Sequence, residues 1–154
     1  KWHLGYKDEF NPTRRGFDEY FGELLGHCDY YTHEYYDGTY ALRDGLKPVK
    51  VEGYFTDLIN SRAAAFIGKH AKEPFFLYVP HSMPHTPIAA SAPFRGKSQR
   101  GLYGDVIQEL DASVGAILGA CLLMLPPWAL VMVQPDLGTS LGLVAILAGM
   151  LSMA

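Results

Sequence analysis

The spacing of apolar residues along this 154-residue chain changes character several times, and each change predicts an element. Residues 1–54 show neither a helical nor an alternating period. The run Asp29-Tyr30-Tyr31-Thr32-His33-Glu34-Tyr35-Tyr36-Asp37-Gly38 reads as long loop with short strands, with turn signals at Asp37-Gly38 and Asp44-Gly45. Its tyrosines predict a loop that packs. Between 56 and 72 the pattern becomes helical: Phe55, Leu58, Ile59, Ala63, Phe66 and Ile67 share a face, Thr56 is the expected N-cap, and Lys69, His70 and Lys72 suit the last turn. Pro74-Phe75-Phe76-Leu77-Tyr78-Val79-Pro80 is a short continuous apolar run, predicted to be a strand buried on both faces. A proline-stiffened polar loop follows, His81 to Pro87, then a basic loop with Arg95, Lys97 and Arg100. A second helix is predicted over 103–118, with Val106, Leu110, Val114, Ile117 and Leu118 on one stripe. Helix, buried strand, loop and helix form the unit of a layered α/β fold, in which ligands bind beyond the carboxyl ends of strands. His81 and His85 fall there.

After Leu118 the chain is apolar all round. Gly119 to Val133 is interrupted by Pro126-Pro127, Gln134-Pro135-Asp136 is a polar break, and Leu137 to Ala154 is a second apolar helix of membrane composition. A buried soluble hairpin is the alternative. Charge follows the same division. All 13 Lys and Arg lie before residue 101, and up to Leu118 they stand against 15 acids, while the tail holds one charge, Asp136. The net charge of −3 argues against a nucleic-acid partner. Two cysteines make no disulfide scaffold, and Cys28 and Cys121 pair only if the two parts pack together. The first residue already stands inside a motif and the last lies in an apolar run, so both ends read as cuts in a longer chain.

Candidate chemistry begins at once. Lys1 and His3 are two residues apart, and in an extended segment their side chains point to one side. A cation and an imidazole facing one cavity suit an anionic group on which charge develops.

The wider string, Lys1-Trp2-His3-Leu4-Gly5, then Asn11 to Gly22 (NPTRRGFDEYFG), then Asp29-Tyr30-Tyr31-Thr32-His33, resembles the type I sulfatase (arylsulfatase) family. The likeness continues through the helix at 56–72, Pro74 to Tyr78, Pro84-His85-Thr86-Pro87, and Tyr103-Gly104-Asp105 to Gly115, in the family's order. It implies an alkaline-phosphatase-like α/β fold and hydrolysis of sulfate esters by a formylglycine hydrate with a bound Ca²⁺. It implies that Lys1 bridges sulfate and formylglycine, that His3 contacts the formylglycine hydroxyl, and that His85 binds sulfate and protonates or orients the leaving oxygen. Thr32 and His33 match substrate-side polar positions, and His81 is a further pocket candidate beside a structural loop role. His27 and His70 read as surface or loop residues. The expected substrate is a sulfated small molecule or glycan, and the expected location is periplasmic or secreted.

The sequence departs from that pattern in ways that matter. It has no C/S-x-P-S-R motif, Cys28 being followed by Asp29-Tyr30-Tyr31, and the family's Ca²⁺ ligands are missing. Residues 1–118 are therefore expected to form part of a sulfatase-like domain, inactive alone. The tail, 119–154, is expected to be a foreign apolar helical segment with membrane contact, since Leu125 to Leu141 around Gln134-Pro135-Asp136-Leu137-Gly138-Thr139 resembles the SEDS family of peptidoglycan glycosyltransferases. Two other functions remain open: a phosphodiesterase or phosphatase of the same superfamily, and a non-catalytic membrane-tethered module.

Overall fold

A computed structural model describes residues 1–123. Single 3-10 turns at Asp8–Phe10 and Pro12–Arg14 lead into β1 (Phe21–Glu23), followed by β2 (Leu42–Asp44), β3 (Lys47–Pro48), α1 (Phe55–Lys69) and α2 (Gly101–Leu122). The strands form an antiparallel sheet in the order β1-β2-β3, with Phe21 opposite Asp44 and Glu23 opposite Leu42. Gly45, at φ +59°, makes the tight β2–β3 turn that the Asp44-Gly45 pair predicts. The amides of Trp2 and His3 donate to the carbonyls of Glu23 and Leu24 at 2.9 and 3.0 Å. The first residues thus run beside the end of β1.

Burial explains why α1 begins where it does. Phe55 and Thr56 are both buried, so the helix starts one residue earlier than expected. Thr56 is interior and not the N-cap; Tyr54 holds that position without a side-chain cap. Asp57 and Lys69 occupy the first and last turns, where each complements the helix dipole.

Polar groups dominate the buried face of α2. Asp105, Val106, Glu109 and Ser113 are its buried residues, while Val114 and Leu118 of the predicted apolar stripe are more than 40 % exposed. The helix is turned by three polar anchors spaced four residues apart. Asp105 accepts from the backbone amides of Gly96, Lys97 and Ser98 at 2.7 to 3.0 Å, which holds its carboxyl below the usual range. Glu109 Oε2 accepts from the Ser91 amide at 3.1 Å and shares the single Tyr54 hydroxyl hydrogen with the Ala89 carbonyl, while Oε1 has no partner among the described residues. Ser113 donates to Asn60 of α1. Asp105, with both oxygens taking up loop amides, satisfies the rule that an interior charge must be hydrogen-bonded.

Residues 74–80 are extended but join no ladder among the described residues, which corrects the expected doubly buried strand. Phe75, Leu77 and Val79 are half-buried, whereas Phe76 and Tyr78 are 73 % and 55 % exposed. Proline at both ends of the run removes two ladder donors, and the alternation covers one face only. The expected layered α/β fold is therefore present here as a three-stranded antiparallel sheet and two packed helices. The boundary expected near Leu118 falls within α2, which continues to Leu122. No described helix is long and apolar enough to cross a membrane. The apolar tail expected from 124 onward, with its SEDS-like stretch, lies outside the described residues.

The core gathers Cys28, Tyr30, Ala41, Leu42, Tyr54, Phe55, Met83, Ala90 and Val106. Three tyrosines fasten the aromatic loop to the histidine loop. The hydroxyls of Tyr30, Tyr31 and Tyr54 donate to the carbonyls of His85, Ala90 and Ala89 at 2.8, 3.2 and 2.9 Å. The loop packs as its composition predicts, and it thereby fixes the backbone at His85.

Candidate functional site

Gly26 is the centre of the polar cluster. The Lys1 ammonium donates to its carbonyl at 3.2 Å. The His3 ring lies so close that a Cβ on Gly26 would come within 3.0 Å of Nε2. His3 has φ +59°, so the first residues are not the plain extended segment assumed from their spacing. Lys1 and His3 still meet at one place, because the backbone pairing with residues 23–24 delivers both to the turn after β1.

His85 arrives from the other side. Its backbone carbonyl is held by Tyr30, and its ring stacks on His27 at 4.7 Å and 5°. His85 Nδ1 lies 2.6 Å from the Thr86 carbonyl. A carbonyl only accepts, so Nδ1 carries the hydrogen and Nε2 is left for a ligand. Lys1, His3, His27 and His85 thus converge on the turn at residues 25–28. Of these, His27 escaped the sequence reading.

The remaining candidates lie elsewhere. His33 is fully buried, with Nδ1 3.1 Å from the Val51 carbonyl and 3.2 Å from the Tyr40 hydroxyl, and its ring edge-on to Phe55. Burial pulls its pKa down. It is a core residue and not the substrate-side group expected. Thr32 is exposed, and its amide donates to Asp29 in a local turn. His81 Nε2 is 2.7 Å from the Ser113 hydroxyl, so this ring ties its loop to α2. Burial lowers its pKa. The Cys28 thiol is fully buried and pushed up to about 12 by desolvation, which keeps it an inert thiol. A cavity of about 620 Å³ with a mixed aromatic and charged lining, Lys1, Phe17, Glu19, Arg62, Phe66 and Tyr78 among others, is bordered by none of His3, His27 and His85.

Behind the cluster sits Glu23, fully buried on β1. One carboxylate oxygen accepts from Ser82 at 3.3 Å and the other has no partner. Desolvation outweighs the nearby positive charge and pushes its pKa up to about 7. An acid raised in the folded state adds stability that is complete below the unfolded value, near 4.5, and is lost as pH rises through about 7. The span corresponds to about 3 kcal/mol. Glu23→Gln is accordingly expected to unfold at the same urea concentration as the parent at pH 5, and at a higher one at pH 8. Equal midpoints at both pH values would exclude a raised Glu23.

No group of three or more His, Cys, Asp or Glu among the described residues is arranged to hold a metal ion. Asp105 and Glu109 are committed to backbone amides, and Glu23 stands alone. The described residues do not fit a Ca²⁺ site. What they make is a cluster of one ammonium and three imidazoles, suited to an oxyanion that accepts several hydrogen bonds.

Comparison with known proteins agrees with that chemistry. The Sulfatase family model matches residues 1–138, past the junction expected near Leu118. The N-acetylgalactosamine-6-sulfatase of Homo sapiens is 38 % identical over 130 residues, which cover 77 % of this chain and 25 % of that protein. Arylsulfatase J of Mus musculus is 36 % identical over 103 residues, 58 % of this chain and 17 % of its own length. Among solved structures, the crystal structure of Ps i-CgsB superposes with a TM-score of 0.68 at 30 % identity, covering 80 % of this chain and 32 % of that one. The same protein is solved in complex with k-i-k-neocarrahexaose. The chain spans about a quarter of the length of the human relative, and the family model's match includes Lys1, His3, His27 and His85. The chain belongs to the sulfatase family.

Proposed function

We propose that this chain supplies one wall of the active site of a sulfuric-ester hydrolase, with Lys1, His3 and His85 lining the sulfate pocket. The observation that carries the reading is the meeting of Lys1 and His3 at Gly26 beside a His85 ring whose Nε2 is free. Hydrolysis of R–O–SO₃⁻ breaks the S–O bond, adds water across it, and leaves R–OH and hydrogen sulfate. The leaving oxygen gains negative charge as the bond breaks and needs a proton or a donor. His85 serves from Nε2 when its ring enters the reaction as the imidazolium: the Thr86 carbonyl holds the Nδ1 hydrogen, the Nε2 proton passes to the leaving oxygen, and the neutral Nδ1–H ring remains. Lys1 and His3 compensate charge on the sulfate oxygens, a contribution that grows in a water-poor pocket. The nucleophile and metal that complete such chemistry in the family are formylglycine and Ca²⁺; the described residues provide neither.

The substrate class we favour is a sulfated glycan, on the names of the relatives: one is an N-acetylgalactosamine-6-sulfatase and one is solved with a carrageenan-type oligosaccharide. The test separates binding from turnover. The 154-residue chain, titrated with inorganic sulfate, is expected to show saturable shifts of the His3 and His85 imidazole NMR signals, and no release of phenol from an aryl sulfate with or without Ca²⁺. Sulfate shifts confined to other histidines, or clear turnover, would overturn the assignment.

A further inference from the structure

His27 has no role in the reading above, yet it makes the most ordered contact of the pocket. Its ring lies flat on that of His85, 4.7 Å between centroids and 5° between planes. The Tyr36 ring packs against it at 4.5 Å and 53°. Its Nε2 is buried without a hydrogen-bond partner. What His27 offers His85 is therefore the face of its ring. His85 itself is exposed and hydrogen-bonded at one edge only, through Nδ1 to the next carbonyl. That single bond leaves the ring free to tilt about the bond axis. A coplanar neighbour removes the tilt.

We propose that His27 is a positioning residue: clamped against Tyr36, it sets the plane of the His85 imidazole so that Nε2 meets the leaving oxygen of the sulfate ester. The proposal rests on the reading of His85 given above. Burial lowers the His27 pKa, and the groups that face it, His85, Lys1 and His3, act in the same direction. A neutral His27 is the form the device requires. A neutral ring presents an electron-rich face to a protonated His85, whereas two stacked imidazolium rings repel.

The experiment uses a full-length enzyme carrying this segment, assayed on a sugar sulfate, whose alkoxide leaving group needs the proton. His27→Ala is expected to lower kcat about tenfold, the factor one aromatic pair can sustain, with KM changed by less than about twofold, since the pocket's other donors remain. His27→Phe, which keeps a flat face and has no ring nitrogen, is expected to recover most of kcat. A residue that merely fills space would not separate kcat from KM in this way. His27→Leu restores volume without a flat ring and is expected to behave as His27→Ala. The positioning role is overturned if His27→Ala leaves kcat unchanged, or if His27→Phe is no better than His27→Leu. His85→Ala is the control for the underlying reading: if it has no effect, or if the parent does not turn over, the site assignment fails first.

Discussion

His85→Ala, in a full-length enzyme that carries this segment, is expected to reduce kcat by about 10²–10⁴-fold, the range for losing a positioned proton donor. The loss should depend on the alcohol released. A 4-nitrophenolate leaves with little need of a proton, so its loss should fall below that range. A sugar alkoxide is far more basic, and the same substitution should sit at the high end. KM should move little if Lys1 and His3 hold the sulfate as proposed. The geometry explains why one imidazole can count for so much. Its backbone is pinned by the Tyr30 hydroxyl, its Nδ1 hydrogen is engaged by Thr86, and its plane is matched by His27. Parallel rate profiles for the two substrates, each unchanged by the substitution, would remove His85 from the reaction.

The largest effect on folding is expected at Phe55. Its side chain is 1 % exposed, in a cluster with Tyr54, Leu42, Met83 and Val106, and its ring meets His33 edge-on at 5.9 Å. Truncation to alanine should cost about 3–5 kcal/mol, a large part of the 5–15 kcal/mol that holds a typical domain. The Phe55 amide donates to the Tyr30 carbonyl at 2.9 Å, and the Tyr30 hydroxyl carries His85, so damage at the start of α1 reaches the pocket in two steps. A urea titration followed by circular dichroism should show a greatly lowered midpoint. Phe76→Ala is the contrast, since that ring is 73 % exposed and its loss should shift the midpoint only slightly. Comparable shifts for both would mean that Phe55 is not the centre of the core.

Local pattern carried the two helices and the tyrosine loop, because helical spacing and aromatic density are read from neighbouring residues. It failed where tertiary contacts decide. The buried face of α2 is set by Asp105, Glu109 and Ser113, which a hydrophobicity pattern assigns to solvent; only their four-residue spacing hinted otherwise. The run at 74–80 has the composition of an interior strand, but its pairing depends on chain that does not adjoin it in sequence. Thr56 looked like a cap until Phe55 and Tyr54 were found beneath α2 and the 83–90 loop. In the site, Lys1 and His3 were paired by spacing, and they do meet, through backbone pairing with residues 23–24 and not through extended geometry. His33 followed a motif and proved to be core. His27 was missed because a stack with a residue 58 positions later leaves no trace in local sequence.

The carboxylate of Asp105 has a consequence for the life of the protein outside any reaction. It grips three consecutive amides of the loop that presents Arg95, Lys97 and Arg100, three bonds' worth of sites for a trypsin-like protease. A protease must draw its target out into an extended strand before cutting, and these amides are not free to be drawn. One buried acid therefore guards a basic stretch of the surface, so the loop can display its cations to solvent without becoming the place where the protein is first cut.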